Sequence, residues 1–358
     1  MANDTSGHLQ RAKSVVLDYH RNLDSVLASP RRPAGDAVDD LTGVLASSVT
    51  EDFLWRGMHP FYEQHGAGAV VDVFWAPLHA AMAPLQRRMD VFLAGDNDAD
   101  GGASTWVCSM GHFLGLFDAP WLDIPPTRRA TPVRYVEFSR VEDDRIAESA
   151  LFLDLIAVMR QAGQYPLPPA TGQPGIYLGP RTADGVQLDP QDPDETTQTL
   201  ELAWRMAGDL DEANRIAREQ GTDRMPAEVL ARCWHPDMLW IGPDGIGSSY
   251  TIERYQQQHS YPFRFGLGDK EFHGHIARIA EGRYAAWFGW ANVSNRPRGG
   301  YLGLPASGPA EMRVVDVYRR EGDKLADNWV FIDLLHWLSQ QGLRPLERMR
   351  QLLGIQEF

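Results

Sequence analysis

The sequence predicts an α+β protein made of two tandem cone-shaped domains, each a curved antiparallel sheet wrapped around N-terminal helices. Three observations predict it: the chain repeats itself, each copy runs helices first and strands after, and a Pro/Gly-rich stretch separates the copies. Residues 145–163 (RIAESALFLDLIAVMRQAG) and 324–342 (KLADNWVFIDLLHWLSQQG) align at an offset of 179, with six of 19 positions identical. Residues 134–138 align with 313–317 at the same offset, and 45–55 align with 230–240 at an offset of 185. Three blocks in one order indicate a duplication.

The first copy predicts helices over 9–27 and 37–46, a short strand near 53–55 and a helix near 69–83. Strands follow over 89–94, 104–111, 133–141 and 145–153. The second copy predicts helices over 196–219 and 227–233, a strand near 238–241 and a helix over 252–259. Its strands run over 271–279, 283–293, 312–319 and 324–332. Asp143-Asp144 and Gly322-Asp323 read as hairpin turns. Each copy closes with a short helix, 155–162 or 334–341. Asp154 and Asp333 are suited to N-cap these helices, and Gly163 and Gly342 to end them. Residues 164–195 are dense in Pro, Gly and Asp with no apolar period, as a stiff linker would be. The expected domains are therefore 1–163 and 196–358.

Composition narrows the function. The chain has 358 residues, 34 Lys+Arg and 48 Asp+Glu, a formal net charge of −14. That balance opposes nucleic acid or an anionic membrane as partner, since both need a basic face. At 43% hydrophobic residues the chain can bury real cores. The apolar stretch 70–85 contains Asp72, His79 and two prolines, so it does not read as a membrane span. The N-terminal segment lacks the pattern of a signal peptide. Cys108 and Cys233 are isolated, which suits a reducing, cytoplasmic setting rather than a disulfide framework or a zinc site. No phosphate-binding loop, G-x-S-x-G elbow or Cys/His nucleophile pair is present. His273 and His275 flank Gly274 at a spacing that could hold a metal, but no third ligand accompanies them.

Further residues suggest a family. The first copy carries Leu122-Asp-Ile-Pro-Pro-Thr127, then Val141-Glu-Asp-Asp-Arg-Ile-Ala-Glu148, Asp154 and Gln161-Ala-Gly163. The second carries Tyr301-Leu-Gly-Leu-Pro-Ala-Ser-Gly308, then Gly322-Asp-Lys-Leu-Ala-Asp327-Asn-Trp329, Asp333 and Gln340-Gln-Gly342. This pattern resembles the SnoaL-like polyketide (ester) cyclases of the nuclear transport factor 2-like superfamily, present in two copies. The pattern departs at Arg128, where the family has Gly, and at Ala150, where it has Trp. The family's usual His has no clear match; His112 lies near its place in the first copy and Trp290-Ala-Asn292 occupies it in the second. The superfamily hosts many activities, so the resemblance implies fold more firmly than function. It implies aldol-type chemistry without metal or cofactor: a carboxylate in a water-poor pocket takes a proton beside a carbonyl. It also implies domains that pair through their sheets, which a tandem chain can satisfy internally as a pseudo-dimer, with a further homodimer compatible.

Strand alternation then nominates residues. Acids recur at Glu137/Asp316, Glu148/Asp327 and Asp154/Asp333. Asp327 and Glu148 fall on the family's acidic position and share faces with Trp329 and Phe331 or with Phe152, so they are the expected catalytic bases. Asp316 and Tyr318 share a face on the preceding strand. With Trp290, Asn292 and His259 they complete the expected substrate-binding set. Trp287, Tyr301 and Trp337 add to the aromatic content of the second copy, which suits a flat, apolar or aromatic carbonyl compound. The expected activity is a cyclase- or isomerase-like reaction on such a small molecule. Two alternatives remain open at this point: a ligand-binding or interaction protein in which the carboxylates are structural, and water addition to an epoxide or alkene.

Overall fold

The structure, a computed structural model, describes residues 5–31, 34–222 and 224–355. The chain divides into two compact units. The first takes in the described residues of 5–166, 183–190 and 344–355; the second takes in 167–182 and those of 191–343. The expected linker is thus shared between the units. Its residue Val186 bridges Phe92 in the first, and Gln173 bridges Ser248 in the second.

In the first unit, α1 (Thr5–Leu27) and α2 (Ala34–Ser48) precede β1 (Val49–Gly57) and β2 (Tyr62–His65). A helical segment follows: α3 (Ala67–Val70), a π-helical turn (Val71–Trp75) and α4 (Ala76–Met82). Then come β3 (Leu85–Asp96), β4 (Thr105–Leu116), β5 (Ala130–Glu142), β6 (Arg145–Leu153) and α5 (Leu155–Gln161). The apolar face of α1 is written in its spacing: Ala12, Val16, Tyr19, Leu23 and Leu27 are all buried. The sheet order is β2-β1-β6-β5-β4-β3. The β1–β6 pair is parallel, so the sheet is mixed, whereas a wholly antiparallel one was expected.

The second unit repeats this plan. It begins with α6 (Pro193–Glu219) and α7 (Ala227–Leu230), then β7 (Trp234–Ile241) and β8 (Ser249–Tyr250). Next are α8 (Ile252–Tyr255), a π-helical turn (Gln256–Ser260) and α9 (Tyr261–Gly266). The strands are β9 (Leu267–Phe272), β10 (Ala277–Glu281), β11 (Tyr284–Phe288), β12 (Val293–Pro297), β13 (Ala310–Met312), β14 (Val314–Glu321) and β15 (Lys324–Ile332), closed by α10 (Leu334–Ser339). The main sheet runs β10-β11-β14-β15-β7-β8, the order of the first unit's sheet. A last helix, α11 (Pro345–Leu352), groups with the first unit, where Arg350 pairs with Asp123 at 2.5 Å. The sequence had placed this segment in the second domain.

The units differ in one hairpin. In the first, β3 and β4 pair from Leu85↔Gly115 to Asp96↔Thr105. In the second, the matching hairpin is broken in two, whereas continuous strands over 271–279 and 283–293 were expected. β9 pairs β12 in a separate three-stranded sheet with β13, and β10 pairs β11 in the main sheet. Residues 273–276 and 289–292 fill the break. Gly289 is required there: a Cβ would lie 2.1 Å from the Asn292 side chain and 2.8 Å from the Gly274 carbonyl oxygen.

Both closing helices are capped as expected. Asp154 accepts from the amide of Ala157, and Asp333 from that of His336. Gly163 and Gly342 adopt φ of 76° and 78°, the left-handed conformation that glycine takes without strain. No helix among the described residues is long and apolar enough to cross a membrane.

Candidate active site

The second unit encloses a cavity of ≈ 320 Å³ between its sheet and its helices. β14 contributes Asp316 and Tyr318, and β15 contributes Asn328, Val330 and Ile332. The opposite wall is Trp240 of β7, Tyr255 of α8, His259 of the π-helical turn and Phe263 of α9. His275 and Asn292, from the two halves of the hairpin break, close one side, beside Phe272, which is 62% exposed.

Asp316 is the sole carboxylate on this wall among the described residues. It keeps some accessible surface, which opens on the cavity, while surrounding protein withdraws it from bulk water. Burial pushes its carboxyl from 3.8 up to about 6, although hydrogen bonds from Asn328 and Tyr318 favour the ionised form. Asn328 Nδ2 donates to Asp316 Oδ1 at 3.2 Å. The hydroxyls of Tyr318 and Tyr255 are held well above the usual tyrosine range, by burial first and by the nearby Asp316 charge second. They stay protonated and able to donate. Burial and the positive charge of Lys270 push His259 down to about 3, and burial with Arg278 pushes His275 to about 4, so both imidazoles are neutral at pH 7.

Of the residues nominated from sequence, Asp316, Tyr318, Asn292 and His259 meet in this cavity. Asn292 Oδ1 accepts from the amide of Val314 at 3.0 Å, fixing the break to β14. Asp327, Trp329 and Phe331 do not join them. The cavity face of β15 is its even-numbered set, so these three lie on the far side of the sheet. There Asp327 accepts from Arg319, whose side chain is 2% exposed, and the Trp329 indole donates to the carbonyl of Leu178 at 2.7 Å. Burial works against the Arg319 cation, but Asp327 and Glu321 outweigh it and hold its pKa up. A wider depression of ≈ 550 Å³ lies on that side, where Arg181 and Arg319 meet Glu321 and Asp327 in a connected ion-pair chain. Trp290 lies outside the cavity, its ring under the guanidinium of Arg313 at 4.0 Å.

The first unit handles the same positions differently. Glu148 pairs with Arg56 at 2.8 Å and with Arg140 at 3.7 Å, and Phe152 is buried on that same side of β6. Glu137, the counterpart of Asp316, accepts from His20 at 3.1 Å and from Arg87 at 3.2 Å. Burial raises the Glu137 carboxyl, but the His20 hydrogen bond and the Arg87 charge outweigh it and hold it below the usual range. Arg87 in turn packs over Phe113 and Tyr135, at 4.9 and 5.3 Å from their ring centres. The salt bridge keeps this carboxylate ionised and makes it a weaker base than Asp316.

Sequence reasoning missed Trp240, Tyr255 and Asn328, and read His275 only as a metal candidate beside His273, which does not line the cavity. A signal for Tyr255, and a second one for His259, lay in the repeat. At the offset of 185, Trp240, Tyr255 and His259 match Trp55, Val70 and Phe74. Two apolar interior positions in one copy are polar in the other.

One family model and several solved structures are similar to parts of this chain. Residues 101–162 match the family model for SnoaL-like polyketide cyclases. No curated protein matches the chain. Among solved structures, a protein assigned by name as a SnoaL-like polyketide cyclase from Jannaschia sp. CCS1 is similar, with 20% identity, 45% of this chain and 95% of that chain covered, and a TM-score of 0.32. A nuclear transport factor 2-like protein from Burkholderia xenovorans LB400 shares 12% identity over 41% of this chain and 97% of its own, with a TM-score of 0.29. One from Rhodopseudomonas palustris, assigned by name as an isomerase, shares 19% identity over 41% and 95%, with a TM-score of 0.30. The SnoaL-like match lies within the first of two α+β units whose main sheets share one strand order.

Proposed function

We propose that the second unit is a general acid–base catalyst that works on a small, flat carbonyl compound and needs no cofactor, with Asp316 as the base. The observation that carries this reading is the Asp316 carboxyl: it faces an aromatic cavity, and burial brings its pKa to about 6. A base with a pKa near the working pH combines a useful ionised fraction with a strong pull on the proton.

The steps follow from the residues. Ionised Asp316 takes a proton from the carbon beside the carbonyl, and the C–H electron pair moves through the carbonyl carbon onto its oxygen. Donors on the wall stabilise the enolate. The carboxylic acid then returns its proton, either to another carbon, which is isomerisation, or to the alkoxide formed when the enolate attacks a second carbonyl, which is cyclisation. Tyr318 and Asn328 orient the carboxylate between steps.

The first unit supports a structural reading of itself, because Arg87 neutralises Glu137. Deuterium exchange at C2 of 1-tetralone in D2O, followed by proton NMR, tests the proposal. The wild type is expected to accelerate exchange and Asp316→Asn to abolish the acceleration while remaining folded. Equal exchange by both proteins would overturn it.

A further inference from the structure

The repeat provides an internal control for His259. Its counterpart Phe74 packs against Trp55 at 5.5 Å between ring centres, an ordinary core contact. His259 holds the same place and stacks on Trp240 at 3.9 Å, with 19° between the ring planes. The π-helical turns that carry the two residues match across the repeat, and so do the prolines that follow, Pro77 and Pro262. A phenyl ring therefore satisfies the packing, and the imidazole adds only nitrogen atoms.

Those nitrogens differ. Nδ1 is shut off from solvent and has no hydrogen-bond partner. A buried N–H without a partner is rarer and costlier than an unfilled lone pair, so the proton of the neutral ring belongs on Nε2. Nε2 likewise has no hydrogen-bond partner among the described residues, yet it is not among the shut-off atoms, so its surface opens on the cavity that His259 lines. An N–H donor thus stands in an aromatic wall with nothing from the protein to receive it.

The charge of the wall limits what can. No Lys or Arg lines the cavity among the described residues, and its one acid, Asp316, is already answered by Asn328 and Tyr318. Lys270 lies behind the wall, 4.8 Å over the Phe263 ring, so an anion in the cavity would pair with no lining cation and would face a carboxylate. His275 is a weaker candidate for donor, because it sits in the hairpin break against half-open Phe272, at 5.1 Å between rings.

We propose that the cavity takes an uncharged, flat molecule bearing a hydrogen-bond-accepting oxygen, and that His259 Nε2–H donates to that oxygen. This deepens the functional reading above and rests on it for the role of the cavity, though not for the identity of the base.

The test is equilibrium binding at pH 7, by calorimetry, of 1-tetralone, tetralin and protonated 2-aminotetralin. These share a ring system and differ in an accepting oxygen or a positive charge. The wild type is expected to prefer 1-tetralone over both. His259→Phe, the residue the first unit carries, is expected to lower the tetralone-to-tetralin affinity ratio about five- to ten-fold, the worth of one net hydrogen bond, and leave tetralin binding within two-fold. His259→Gln keeps an N–H and is expected to recover part of the ratio. An unchanged ratio in His259→Phe, a ratio lost in His275→Phe instead, tighter binding of the amine, or a wild type that prefers no ligand would each overturn the proposal. Failure of the base assignment appears separately, as unchanged proton exchange in Asp316→Asn alongside an intact His259-dependent ratio.

Discussion

Asn328 reaches diagonally across the β14–β15 pair to donate to Asp316 at 3.2 Å, and it stands beside Asp327, which faces the other way into Arg319. One residue of strand separates the cavity from an ion-pair network. That step gives Asp316 and Asp327 opposite surroundings, and the predictions below follow from it.

Asp316→Asn and Asp327→Asn are expected to behave as opposites. The first removes the base and should lower proton exchange by ~10²–10⁴-fold. The second should leave the rate within two-fold but destabilise the protein, because Arg319 loses a buried partner and keeps only the half-exposed Glu321. Chemical denaturation and exchange NMR on both variants check this together.

The pH dependence of exchange should report Asp316. The rate per enzyme is expected to rise through pH 6 and level off above it, since the ionised form is the active one. His259 and His275 titrate at about 3 and 4 and should not bend the profile near neutrality. A rate profile between pH 4.5 and 8.5 decides it.

Stability should carry the same signature with the opposite sense. The folded pKa of Asp316 lies above its ordinary 3.8, so the folded state binds the proton more tightly and loses stability as pH rises from about 4 to 6. Two units correspond to at most about 3 kcal/mol, less whatever the cavity's water recovers. Asp316→Asn should therefore stabilise the protein at pH 8, and the gain should vanish below pH 4. Melting temperatures at the two pH values test this.

Arg87→Met should strand Glu137 in the first unit with His20 alone. Breaking one side of a buried pair costs ~3–5 kcal/mol, and Arg87→Met with Glu137→Gln should recover a large part of it. Because Glu137 is held below its usual range, the wild-type pair's contribution is complete above roughly pH 4.3 and lost as pH falls below that. Proton exchange in the second unit should be unaffected. Urea unfolding of the two variants at pH 7 is the measurement.

The duplication, the order of elements and the four helix caps were legible in the sequence because each has a local cause. Asp154, Asp333, Gly163 and Gly342 sit where a helix end needs an acceptor or a positive φ, whatever surrounds it. The inward face of β15 was not legible. Leu325, Trp329 and Phe331 on one side and Asn328, Val330 and Ile332 on the other are all buried, so no change from apolar to polar marks the inside. The hairpin break was hidden for a similar reason: His275, Ile276, Trp290 and Asn292 carry no strong turn signal, and Gly274 and Gly289 alone punctuate the run.

That break has a consequence for redesign. Residues 273–276 and 289–292 stand between two short ladders, β9 with β12 and β10 with β11, each of which keeps its own register. Insertions matched on the two sides would leave every ladder hydrogen bond in place while moving His275 and its neighbours in the break. The entrance can then be reshaped without touching Asp316 or its supports, so selectivity at the mouth and reactivity at the base are separate engineering variables.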